Sequence, residues 1–130
     1  MKIIIGFFLT LLFSFGCMKN KKNSIVSFQY QGYGDTLFAL LYGKVIDFEN
    51  HPLRSTKIEL LNSNYKTLTD SLGYFELYSS GAKYDVSIFK QAFQSVIIKG
   101  YESRSDQVSH VEIKLSSDRN DTLIVSGAPH

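Results

Sequence analysis

The chain has 130 residues, 44% of them hydrophobic and 20% charged, which allows one globular domain with an ordinary core. Basic and acidic residues number 14 and 12; the formal charge of +2 excludes the clustered basic face of a nucleic-acid binder. A single cysteine excludes an internal disulfide, and His51, His110 and His130 lie too far apart for a short ligand spacing, so neither metal nor cofactor is expected.

Met1-Lys2 is followed by 13 uncharged, mostly apolar residues, Ile3 to Phe15. That run fits the core of a signal peptide and falls short of the roughly 20 residues a helix needs to cross a bilayer, so export is expected. The only cysteine, Cys17, follows Gly16 at the end of this run and resembles the lipobox cysteine of bacterial lipoproteins. The resemblance implies a leader of residues 1–16, acylation of Cys17 and attachment to the envelope of a Gram-negative cell, at the outer membrane. The alternative is an ordinary leader cut nearby, with Cys17 discarded or left unpaired. Acyl chains contribute about 0.8 kcal/mol per buried methylene, so several of them would anchor the protein without any spanning segment. Residues 17–24, polar and basic, read as a flexible tether.

From residue 25 onward the pattern is that of strands. Val26, Phe28 and Tyr30 alternate with polar residues, and Gly32-Tyr33-Gly34-Asp35 should turn the chain. Thr36 to Asp47 reads as a long strand with Leu41, Gly43 and Val45 on one face and Tyr42, Lys44 and Ile46 on the other. A glycine inside such a strand predicts close approach of another backbone or of a large side chain. After a reversal at Glu49-Asn50-His51-Pro52, strands are expected at 56–61, 65–69 and 74–78, with a type I turn at Asp70-Ser71-Leu72-Gly73. The Asp70 carboxylate is expected to cap that turn rather than to bind calcium, since no ladder of Asp or Asn adjoins it. Further strands are expected at 84–88, 93–99 and 111–115, with Gly100 to Gln107 as the longest loop, an edge strand at 122–125 and a frayed tail at 127–130. No amphipathic helix is expected, and the fold class is an all-β, antiparallel sandwich over residues 25–130.

Gly43-x-Val45-x-Asp47, Pro52-Leu53, Thr69-Asp70-x-x-Gly73-x-Phe75 and Tyr84-x-Val86 stand in order along this pattern. As a set they resemble the carboxypeptidase regulatory-like domain, a transthyretin-like (prealbumin-like) β-sandwich. The resemblance covers Leu41 to Leu115 and implies about seven strands and an accessory role beside partners carried on another polypeptide. The one enzymatic branch of that fold hydrolyses 5-hydroxyisourate and ends Tyr-Arg-Gly-Ser; this chain reads Ser126-Gly127-Ala128-Pro129-His130 there.

No nucleophile with its base, pair of carboxylates or ligand set stands out, so no catalytic residue is expected, and His51 and His110 read as surface residues. Tyr42, Tyr74 and Tyr78 fall on outward faces and form the candidate binding surface, for an envelope protein or a glycan. The expectation is thus a non-catalytic envelope lipoprotein acting as a binding or accessory module. The alternative is a transthyretin-type small-ligand carrier or hydrolase, which would form a symmetric oligomer.

Overall fold

A computed structural model of the chain describes residues 21–33, 38–105 and 107–127. The expected leader, Cys17, most of the tether, residues 34–37 and residues 128–130 lie outside the described residues; Gly32 and Tyr33, the first half of the expected turn, belong instead to the first strand.

Nine strands are described: β1 (Ile25–Tyr33), β2 (Ala39–Asp47), β3 (Lys57–Leu60), β4 (Lys66–Leu68), β5 (Tyr74–Ser79), β6 (Ala82–Phe89), β7 (Val96–Ser103), β8 (Gln107–Leu115) and β9 (Leu123–Ser126). They form two sheets, one of four strands in the order β1-β8-β2-β5 and one of five in the order β4-β3-β6-β7-β9. The all-β sandwich is as expected. Nine strands stand in place of the seven or so that the family resemblance implied, and β2–β8 and β7–β9 pair in parallel inside an otherwise antiparallel arrangement.

Period-two alternation sets the layers. Leu41 and Val45 of β2, Phe75 and Leu77 of β5, and Val111, Ile113 and Leu115 of β8 point inward from the four-stranded sheet. They meet Ile58, Leu60, Val86, Ile88, Val96, Ile98 and Tyr101 from the five-stranded one. Each large side chain so buried contributes about 1.5–3 kcal/mol relative to exposure.

Val45, Leu53, Thr69, Asp70 and Gly73, among the residues that carry the family resemblance, meet in one corner. Val45 donates its N–H to the Gly73 carbonyl at 2.8 Å, and Leu53 donates back to the Val45 carbonyl at 3.0 Å. The Thr69 hydroxyl donates to the Leu53 carbonyl and accepts the Thr56 N–H at 2.9 Å. At Asp70 the expected turn forms: the Gly73 N–H reaches the Asp70 carbonyl at 3.0 Å, and the carboxylate accepts the N–H groups of Leu72 and Tyr74, each at 2.9 Å. Gly73 adopts φ +83°, where a Cβ would also sit 2.5 Å from the Val45 carbonyl oxygen. The expectation for Gly43 is met as well, because a Cβ there would lie 1.8 Å from the Val111 carbonyl oxygen.

Two expectations shift. Gly100 to Gln107 is strand on both sides of a short connection, since β7 runs to Ser103 and β8 starts at Gln107. Its polar residues mislead because Ser103 and Gln107 face inward, and the Ser103 hydroxyl meets that of Ser79 at 2.8 Å. The sandwich also takes hold of the chain before Ile25. Ser24 is buried, its N–H donates to the Gln94 side-chain oxygen at 2.8 Å, and its hydroxyl accepts the Ser116 N–H at 2.9 Å.

Candidate functional site

The outer face of the four-stranded sheet gathers the expected binding residues. Register aligns them in rows across the strands: Tyr78, Leu40 and Val108; then Glu76, Tyr42, His110 and Gln29; then Tyr74, Lys44, Glu112 and Ser27. All three tyrosines therefore lie on one face, two on β5 and one on the neighbouring β2. Their surroundings differ. Tyr74 and Tyr78 are 49% and 48% exposed, whereas Tyr42 is half-buried with its ring 4.8 Å from that of His110, centroid to centroid. The Lys44 ammonium sits 4.9 Å from the Tyr74 ring centroid, so a cation covers part of that ring.

Two depressions open on this face. One, of about 210 Å³, is bounded by Ile25, Ser27, Lys44, Ile46, Glu112 and Lys114. The other, of about 520 Å³, lies at the β5 rim among Tyr42, Leu68, Asp70, Tyr74 and Glu76. Aromatic edges are interleaved on this face with charges of both signs.

The turn after β2 assembles a second group that histidine spacing did not reveal. Asp47 accepts the N–H groups of Glu49 and His51 on one carboxylate oxygen, each at 2.8 Å, while its other oxygen lies 3.3 Å from His51 Nδ1. Glu49 stands 4.0 Å from the same ring nitrogen. Burial pushes the Asp47 carboxyl upward, but the two backbone donors and His51 outweigh it and hold the group below its usual range. Asp47, Glu49 and His51 could each offer one atom to a metal ion, with those atoms within 4.8 Å of one another. The backbone bonds already account for Asp47 as the cap of this turn, and His51 and Glu49 are largely exposed. The signal for this group was the Asp47-x-Glu49-x-His51 spacing itself, which needs the tight turn to bring its side chains together. His110, the other described histidine, faces outward as expected on the adjacent strand β8, opposite Tyr42 and away from the β2 turn.

No protein-family model matches the chain, and no curated protein matches it. Two crystal structures of type II cohesin–X–dockerin complexes from Acetivibrio cellulolyticus, an N-terminal and a C-terminal interface mutant, contain chains with a partial likeness. Identity is 18% with a TM-score of 0.42 in the first and 16% with 0.41 in the second. The alignments cover 67% and 68% of this chain, which spans about half, 52%, of each of those chains. A 9R-lipoxygenase from Cyanothece PCC8801 aligns at 15% identity and a TM-score of 0.34, over 77% of this chain and 18% of its own. Likenesses of this degree assign neither a partner nor an activity.

Proposed function

We propose that the chain is a non-catalytic binding module of the bacterial cell envelope, exported and held on the outer membrane by acylated Cys17, which docks a partner protein on the outer face of its four-stranded sheet. One observation carries the reading: Tyr42, Tyr74 and Tyr78 share a face that no other described element covers, with Lys44 and Glu76 among them and Glu112 beside Lys44 on β8. Tyrosine supplies large contact area at low entropic cost, and interleaved charges fix orientation. Membership of the carboxypeptidase regulatory-like family belongs to the same proposal. Its support is that Asp47, Leu53, Thr69 and Gly73 each do a backbone job in a single interlocked corner, and Gly43 one at the sheet centre.

Site-specific photo-crosslinking in cells tests the docking face. A photoreactive phenylalanine at Tyr78 is compared with one at Phe89, which is equally exposed, at 48%, on the opposite sheet. A discrete protein adduct from position 78 and none from 89 is the expected result; equal labelling, or none at 78, overturns it. The anchor is read separately, from the intact mass of membrane-extracted protein beside a Cys17→Ala form. Acyl groups on a chain starting at Cys17, absent from the variant, are expected, and a soluble unmodified product overturns that part.

A further inference from the structure

Three of the seven aspartates are followed by a hydroxyl residue and then leucine: Asp35-Thr36-Leu37, Asp70-Ser71-Leu72 and Asp121-Thr122-Leu123. At this composition roughly 0.1 such tripeptides are expected by chance. The first lies outside the described residues; the other two have exposed hydroxyl residues at separate places in the fold, one in the turn ahead of β5 and one in the connection entering β9.

The fold does not require the repetition. Asp70 caps a turn through the N–H groups of Leu72 and Tyr74, whereas Asp121 takes the Arg119 guanidinium at 2.9 and 2.8 Å and the Gln94 amide at 3.2 Å. Leu72 is 61% exposed, whereas Leu123 packs against the core. Aspartate and leucine thus do unlike things in the two copies. What the copies share is an exposed Ser71 or Thr122 between an acid and an aliphatic residue. A short sequence repeated without a common structural duty is what an external enzyme reads, and an accessible hydroxyl is what it modifies.

We propose that Ser71 and Thr122 are O-glycosylation acceptors selected by the Asp-(Ser/Thr)-Leu sequence. This rests on the export reading, which places these hydroxyls among envelope glycosyltransferases. The co-substrate is a glycosyl diphosphate, lipid- or nucleotide-linked. The Ser71 or Thr122 hydroxyl oxygen attacks the anomeric carbon, and the bond from that carbon to the diphosphate oxygen breaks. The diphosphate leaves with the electron pair, and the hydroxyl proton passes to a base of the transferase. Phosphate is the poorer fit, because a dianion beside the Asp70 or Asp121 carboxylate is repelled, whereas a neutral sugar is not.

Tryptic peptide masses of protein purified from its native cells test this. Residues 67–83 carry Ser71, and residues 120–130 carry Thr122. Each peptide is expected to gain a sugar-sized increment, lost from the first by Ser71→Ala and from the second by Thr122→Ala. Ser71→Thr should keep the first increment. Asp70→Asn, which retains an acceptor oxygen for the turn, should lose it. Asn120→Gln should keep the second, separating Thr122 from the overlapping Asn-x-Thr sequence. Unmodified peptides in a chain whose N-terminal peptide shows leader removal overturn this proposal alone. Unmodified peptides with the leader retained overturn it together with the export reading. A phosphatase-sensitive increment, or increments untouched by the Ser71 and Thr122 substitutions, also overturn it.

Discussion

The corner where the β2 turn meets the β4–β5 turn and the outer face of the four-stranded sheet differ in how far sequence determines them. In the corner each residue is tied to backbone, Asp47 by two N–H groups, Thr69 by Leu53 and Thr56, Gly73 by Val45, and further along β2 Gly43 is held to the Val111 carbonyl in the same way. On the face, Tyr74 and Tyr78 stand half-exposed, and beyond the Lys44 ammonium against the Tyr74 ring the packing does not specify tyrosine there. A residue tied to backbone has few substitutes and so leaves a motif. A residue that waits for a partner is specified by that partner, and the sequence shows only which way it points.

Substitutions should separate the two regions, beginning where the effect is greatest. Gly43→Ala drives a methyl group into the Val111 carbonyl at the centre of the sheet and should cost about 3 kcal/mol, read as a lowered urea midpoint. Thr69→Val keeps the shape but removes both hydrogen bonds, leaving the buried Thr56 N–H without its partner and the Leu53 carbonyl with the Thr56 hydroxyl alone, for a loss of about 2 kcal/mol. A tyrosine of the face should be neutral by the same assay; if Tyr78→Ala destabilises as much as Thr69→Val, the distinction fails.

Acid should act on the corner more gently. Because its hydrogen bonds depress Asp47, the stabilisation from its charge is complete above the unfolded carboxyl value of about 4 and is lost as the pH falls through the lower folded value. Asp47→Asn retains an oxygen for the Glu49 and His51 N–H groups but has no charge to titrate. The drop in urea midpoint between pH 7 and acid should therefore be smaller in Asp47→Asn than in the parent. An identical drop would remove Asp47 from the acid response.

Strand positions and faces were legible from alternation, as with Leu41 and Val45 inward and Tyr42 and Lys44 outward. Which strands adjoin was not, because period two assigns a side and never a neighbour, so the parallel β2–β8 pairing at the sheet centre came only from the structure. The end of β7 was hidden because Ser103 is buried against Ser79, and a buried polar pair reads as loop in the sequence. The same limit applies to the site. Alternation pointed three tyrosines outward, but their meeting on one face depends on pairing Leu40 with Tyr78 and Lys44 with Tyr74. Asp47, Glu49 and His51 escaped notice because a turn, not their separation along the chain, brings them together.

The measurement that tests the account most directly is made on the double variant Tyr74→Ala/Tyr78→Ala, following its urea unfolding and its recovery of the protein partner crosslinked at position 42. The account predicts an unfolding free energy within about 0.5 kcal/mol of the parent, as for other exposed substitutions, with the partner adduct lost. Undiminished adduct on a stably folded double variant would contradict it, as would a loss of stability large enough to explain the lost adduct by unfolding.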